Sequence, residues 1–245
     1  MAANLMRASV DLTVMDADSV RAEDFVREFG GRCATRADAL ADCDVVIAML
    51  PDGRAVHDVA TALLEHLQPG AIVVDMGSSE PHGTRELGRQ LARHGVALID
   101  AAAVGSEQDA AAGTLRIVHG CDDAIALEQV LPLLRAMGSQ LFAVGGAGCG
   151  HAARALDDHV AARTLAASCE ALLVGERCGI ELAALTQLIE GSTGRKLNPD
   201  ALLAERAGGH DFVTGLALGL FAKDVAKDIA KDIQVRDINP RRQHQ

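Results

Sequence analysis

The residues best suited to chemistry in this sequence are polar side chains that fall where an apolar run stops. Asp16 follows Asp11–Met15, and Leu50-Pro51-Asp52 closes the run that starts at Asp44. Asp75-Met76-Gly77-Ser78-Ser79 follows Ala71–Val74, and Asp100, with Gly105-Ser106, follows Val96–Ile99. In a doubly wound sheet these carboxyl ends are where ligands sit. A second group shares one helix-forming stretch, where Arg154 and Asp158 are four residues apart and His151 and His159 flank Arg154. Imidazole has a pKa suited to proton transfer near neutrality, and His151 shares a helical face with Arg154. The bland reading of His151 is a solvated or capping side chain at a helix start. Ala-Lys-Asp occurs three times, at 222–224, 226–228 and 230–232. The spacing reads first as a solvated helix face with i,i+3 ion pairs.

Other reactive residues form no pattern. Cys33, Cys43, Cys121, Cys149, Cys169 and Cys178 include no C-x-x-C pair, so reduced thiols used as small apolar residues are expected. Cys149 as a nucleophile has no base paired with it in sequence. The nine histidines show no H-E-x-x-H or other metal spacing, and no metal is expected.

The elements that must position these groups change character along the chain. Up to about residue 145, short β-branched runs alternate with helical stretches. Strands are expected at Asp11–Met15, Asp44–Leu50, Ala71–Val74, Val96–Ile99 and Arg116–Val118. Asp44–Leu50 is continuously apolar and reads as a fully buried strand. Strand–helix alternation implies βαβ units and a parallel sheet covered on both faces. After Gly145 the chain reads as all helix: Ala152–Cys178 unbroken and closed by Gly179, a loop at 191–194, and helix again to about Val235. The expected architecture is an α/β, Rossmann-like parallel sheet over residues 1–146, then an all-α domain over 147–245 with a long interdomain helix.

Composition narrows the function. The chain has 245 residues, 49% of them hydrophobic, enough for one large domain or two modest ones. A net charge of −11 disfavours nucleic acid and anionic membranes as partners. Trp and Tyr are absent, which argues against a base-stacking platform. No run reaches the roughly 20 apolar residues of a membrane span. No secretory signal is expected, and the cytoplasm is the expected location.

Several stretches, in order and at consistent spacing, resemble the β-hydroxyacid dehydrogenase family, the group of 3-hydroxyisobutyrate dehydrogenase and tartronate semialdehyde reductase. They are Met1–Leu5, Val45–Asp52 (VVIAMLPD), Val73–Pro81 (VVDMGSSEP), Gly113-Thr114-Leu115, Ala136-Met137-Gly138, Gly145–Gly150 (GGAGCG) and Lys223-Asp224. The resemblance covers nearly the whole chain. It implies a nicotinamide cofactor, a small hydroxy acid or semialdehyde as substrate, and a homodimer. It places Asp16 at the adenosine ribose, where a carboxylate favours NAD and repels the 2′-phosphate of NADP, although Arg21 is nearby. Leu50 and Pro51 match the segment along the cofactor, and Ser78 matches a nicotinamide-proximal Thr. Lys223 matches the family's active-site Lys near the nicotinamide, with Asp224 its companion.

Departures from the family pattern are equally specific. The family's first strand and its G-x-G-x-x-G turn have no counterpart before Met1; the expectation is a start codon assigned too far downstream, the alternative a real truncation that tolerates a slot through the sheet. The missing strand belongs at the centre of the sheet, so its neighbours would be left with unpaired edges. After the Lys-Asp helix the family has at least one further helix, whereas Pro240–Gln245 reads as a tail. The family's substrate-binding Ser is Val104, followed by Gly105 and Ser106. Its catalytic Lys is Arg154, and its Asn one turn later is Asp158. Arg does not release its proton near neutrality, Val104 offers no hydrogen bond, and Asp158 sets a negative charge near an anionic substrate. The first functional reading is therefore an NAD(P)-dependent dehydrogenase. Its alternatives are a degenerate member that keeps fold and dimer interface, and an imine or keto reductase on the same scaffold.

Overall fold

The computed structural model describes residues 1–193 of the chain. Two compact units divide it, Met1–Arg154 and Ala155–Gln245. In the first, the elements are α1 (Ala2–Arg7), β1 (Thr13–Val14), α2 (Ser19–Phe29), β2 (Arg32–Cys33), β3 (Val45–Ala48), α3 (Gly53–Leu63), β4 (Ile72–Asp75), α4 (Pro81–Ala92), β5 (Ala97–Val104), α5 (Glu107–Ala112), β6 (Leu115–Gly120), α6 (Ala124–Met137) and β7 (Gly138–Gly145). Helix α7 (Cys149–Arg177) crosses from one unit into the next, and α8 (Leu182–Thr193) follows it.

Helix starts obey local chemistry. Asp18, Asp52 and Asp123 accept backbone N–H groups at the first turns of α2, α3 and α6, meeting donors that have no partner inside the helix. The main sheet runs β3-β4-β5-β6-β7, and β1 and β2 form a separate two-stranded parallel sheet. β3, β4 and β5 are parallel, β6 is antiparallel to β5, and β7 is parallel to β6. The expected parallel sheet is thus parallel in its first half and reversed in its second. The cause is the short connection between Val104 and Leu115, which falls below the dozen or so residues that a parallel crossover requires.

That reversal sets the layers. Right-handed crossovers through β3–α3–β4–α4–β5 place α3 and α4 on one face. The next crossover moves the same way across the sheet with its strands reversed, so the same hand places α6 on the other face. The core divides accordingly. Val56, Leu63, Leu87 and Leu91 pack with Val73 and Leu98 on one side, while Leu5, Val130, Leu134 and Met137 pack with Ile72, Val74, Ile99 and Ile117 on the other. Adjacent strand residues point to opposite clusters, and each large side chain buried in this way contributes about 1.5–3 kcal/mol.

The first two expected strands need correction. β1 is two residues long instead of five, because β2 is its single neighbour. β3 is apolar on both faces but not fully buried: Val45, Val46 and Ile47 are half-buried and Met49 is 59% exposed. The physical reason is its edge position, with β4 on one side and no strand of the sheet on the other. β4, flanked on both sides, is buried at all four positions.

In the second unit, described as far as Thr193, α7 ends at the left-handed Gly179 as its sequence implied. Glu181 then receives the N–H groups of Ala183 and Ala184 at the start of α8. The expected loop at 191–194 is helix up to Thr193, where the Ser192 hydroxyl donates to Ile189 O at 3.0 Å. No strand follows β7 among the described residues.

Candidate active site

The loops after β3 and β4 meet at the carboxyl end of the sheet and hold each other in place. Asp75 is buried at the end of β4; its Oδ1 accepts the Gly77 N–H at 2.9 Å and its Oδ2 accepts the Ser79 hydroxyl. A Cβ on Gly77 would lie 3.0 Å from Leu50 O, and one on Gly53 would lie 3.0 Å from Ser79 Cβ. Glycine at both positions is what lets the two loops touch. Between buried Gly77 and buried Ser79, Ser78 is exposed. Leu50 is half-buried and Pro51 exposed beside it. The Ser78 hydroxyl therefore faces outward from a loop whose backbone is fixed.

Asp16 is exposed past the end of β1, where its Oδ1 accepts the Asp18 N–H at 2.9 Å. The helix cap is Asp18, so Asp16 shapes the turn and keeps its carboxylate at the surface. Arg21 lies 3.6 Å from Asp18 in an exposed i,i+3 pair of little energetic weight.

At the end of β5, Val104 is 7% exposed, and Ser106 caps α5 in a reciprocal box with Asp109. Hydrogen bonds from the Ser106 hydroxyl and backbone hold the Asp109 carboxyl below its usual range. The Ser106 side chain thus already has a structural task.

In the glycine-rich stretch before α7, a buried carboxylate takes the backbone N–H groups. Asp100, 0% exposed, accepts Gly148 N at 2.7 Å and His151 N at 2.9 Å, while Asp122 accepts Ala147 N at 3.3 Å. His151 is neither solvated nor open to a cleft. It is 2% exposed, and its Nδ1 lies 2.8 Å from Thr84 Oγ1. Its position beside Thr84, Asp75 and Asp100 keeps the residue out of solvent.

On α7, Arg154 is half-buried and Asp158 buried, one turn apart as their spacing requires. His159 is half-buried, and Cys149 lies against Gly145. His119 on β6 is buried; burial pushes its imidazole pKa down, and Asp100 opposes that shift. Burial pushes the Cys121 thiol up, away from a reactive thiolate. Lys223 and Asp224 lie outside the described residues. Asp16, Leu50, Pro51 and Ser78 occupy strand ends; Asp75, Ser79, Asp100 and His151 are each candidates by sequence, but neither Thr84 nor their gathering into one buried group is. The group's one sequence signal is that Asp75 and Asp100 each end an apolar run.

No helix among the described residues is long and apolar enough to cross a membrane. Residues 1–146 match the family described as the NAD binding domain of 6-phosphogluconate dehydrogenase. Residues 148–236 match the family described as NAD-binding of NADP-dependent 3-hydroxyisobutyrate dehydrogenase. A 2-(hydroxymethyl)glutarate dehydrogenase of Eubacterium barkeri is 28% identical over 228 residues, 92% of this chain and 75% of that protein. An NAD-dependent L-serine dehydrogenase of Pseudomonas aeruginosa is 31% identical over 234 residues, 92% of this chain and 78% of that protein. Among solved structures, a Mycobacterium tuberculosis 3-hydroxyisobutyrate dehydrogenase with L-serine superposes with a TM-score of 0.76 at 26% identity, covering 93% of this chain and 89% of that one.

Proposed function

Since the chain belongs to the β-hydroxyacid dehydrogenase family, we propose that it is an NAD(P)-dependent oxidoreductase acting on the CH–OH group of a small hydroxy acid, or in reverse on its semialdehyde. The observation that carries this reading is the outward Ser78 on a loop pinned by Asp75, Gly53 and Gly77, at the strand ends of a chain matched along both halves by NAD-binding families. The residues suit a dinucleotide. Asp16 presents a carboxylate to ribose hydroxyls, Leu50 and Pro51 give an apolar edge, and Ser78 gives a hydroxyl at the nicotinamide end. The Asp16 carboxylate favours NAD over NADP by repelling a 2′-phosphate.

The nicotinamide, when bound, exchanges a hydride with the substrate carbon. The chain's own residues orient the substrate. Arg154 carries a permanent positive charge that orients a carboxylate or polarises a carbonyl, with Asp158 one turn away tempering it. Because a guanidinium does not give up its proton near neutrality, Arg154 supplies no general acid–base help and turnover is slow; Lys223, with Asp224 beside it in sequence, corresponds to the family's Lys near the nicotinamide. Val104, Gly105 and Ser106 border the substrate, and Val104 adds apolar surface where a hydroxyl would select a carboxylate. In this reading residues 1–146 hold the cofactor and 147–245 supply the helical half. The protein acts as a cytoplasmic homodimer, which half-exposed Leu156, Val160, Leu173 and Val174 on α7 and six cysteines that form no disulfide support.

Calorimetric titration with NADH and NADPH, followed by absorbance assays with L-serine and 3-hydroxyisobutyrate, tests the proposal. Saturable binding tighter for NADH, with turnover of at least one acid, is the expected result. Binding without turnover of any small hydroxy acid or semialdehyde overturns the oxidoreductase reading, and absence of binding overturns the cofactor assignment.

A further inference from the structure

His151 is the buried imidazole that the proposed reaction does not use, and its surroundings fix where its hydrogen must be. Nδ1 lies 2.8 Å from Thr84 Oγ1, while Nε2 has no hydrogen-bond partner and faces Asp75 Oδ2 at 3.7 Å. Thr84 has a single hydroxyl hydrogen and two acceptors within reach, His151 Nδ1 and Glu80 O at 3.1 Å. Glu80 O already receives the Thr84 backbone N–H at 2.9 Å. If the hydroxyl donates to Nδ1, the neutral ring must carry its hydrogen on Nε2. If it donates to Glu80 O, Nδ1 must donate to Thr84, and a bare Nε2 would then set its lone pair against a carboxylate. Two buried acceptors facing each other is the costly arrangement, and a second hydrogen on the ring relieves it. Both cases end with N–H at Nε2, directed at Asp75.

We propose that His151 is a positioning residue: its Nε2–H and Asp75 join the first turn of α7 to the loop that presents Ser78. Asp75 accepts two hydrogen bonds, from Gly77 N and Ser79 Oγ, with Ser78 between them, and its Oδ2 faces His151 Nε2 at 3.7 Å in an electrostatic contact. Asp100 secures the same turn of α7 through Gly148 N and His151 N, so the joint is fixed from β4 and β5 together. The order Asp75–His151–Thr84 matches the carboxylate–imidazole–hydroxyl arrangement of hydrolases. Thr84, however, is 3% exposed inside α4, and its hydroxyl reaches no substrate. The arrangement is a brace, not a nucleophile.

The part of this inference concerning Ser78 rests on the proposed cofactor site, whereas the part concerning the hydrogen does not. Two-bond 1H–15N spectra of uniformly labelled protein, with His151 identified by its loss in His151→Gln, report which ring nitrogen is protonated. A pyrrole-type signal at Nε2 is expected, and a pyridine-type Nε2 overturns the proposal. Calorimetric titration of NADH into His151→Ala and His151→Gln supplies the second test. Loss of this buried contact with a carboxylate weakens binding roughly tenfold in the Ala variant. Gln, whose amide N–H takes the place of Nε2–H, restores most of it while both variants keep the wild-type circular dichroism spectrum. Equal weakening in both variants, or in neither, overturns the positioning role. Failure of the wild type to bind NADH refutes the cofactor reading alone, and the Nε2 signal still decides the joint. If the Ala variant fails to fold, Gln against wild type and the nitrogen spectrum remain decisive.

Discussion

Replacing Asp100 by Ala removes the acceptor for two backbone N–H groups, Gly148 N at 2.7 Å and His151 N at 2.9 Å, at a site with no solvent exposure. Each bond involves a charged acceptor and contributes about 1.5–3 kcal/mol, and the donors left behind are buried at a helix start. Relief of the carboxylate's own desolvation offsets part of the loss. The expected net cost is about 3–5 kcal/mol, a large share of the stability of an ordinary domain. Asp100→Asn keeps one acceptor oxygen and loses the charge, so it falls near half that cost. Asp122→Ala is the control. It loses a single exposed contact of 3.3 Å to Ala147 N and costs less than about 1 kcal/mol. Because the chain has no Trp and no Tyr, urea unfolding is best followed by far-ultraviolet circular dichroism. The midpoint shift multiplied by the slope gives the energy. If Asp100→Ala costs no more than Asp122→Ala, the carboxylate does not anchor α7 and the reasoning fails.

Gly77→Val places a Cβ 3.0 Å from Leu50 O and forces the two strand-end loops apart. It lowers NADH affinity at least about tenfold in calorimetry and costs about 1–3 kcal/mol; Gly83→Ala, with nothing within 4 Å, leaves affinity unchanged. Arg154→Lys with Val104→Ser and Asp158→Asn raises kcat/KM on 3-hydroxyisobutyrate by about two to four orders of magnitude, more than any single change, because the three groups act together. A wild type already efficient and indifferent to Arg154→Ala contradicts this. His119, whose pKa burial lowers from the usual 6.5, is protonated first in the unfolded chain as pH falls. Stability therefore declines as pH drops below about 6.5 and levels off once the folded form also binds the proton. Urea midpoints at pH 7 and pH 5 should differ less in His119→Gln than in the wild type.

Much of the framework was legible in local sequence. Strand–helix alternation up to Gly145, helix afterwards, the stop at Gly179 and the strand-end position of Ser78 all follow from periodicity and from glycine and aspartate chemistry acting over a few residues. The ten or so residues between β5 and β6 are too few for a parallel crossover, which strand–helix alternation alone does not reveal. Ser106 and Asp109, three apart, carry the spacing of a capping box, which competes with a role in binding substrate.

What tertiary structure alone decided involves partners distant along the chain. The apolar run Val45–Ala48 suits a central or an edge strand equally, and only the sheet order made it half-buried. The backbone N–H groups of the glycine turn at 145–150 find their acceptor only because Asp100, 48 residues before Gly148, folds beneath it. His151 is a surface histidine by its neighbours in sequence and a buried one by its fold, because Thr84 meets it across 67 residues. Periodicity encodes which face of an element is apolar, but not which other element will cover that face, and burial of a polar side chain depends on the second question. The structural role of Asp75, Asp100 and His151 was therefore set only when the sheet, α4 and the first turn of α7 closed around them.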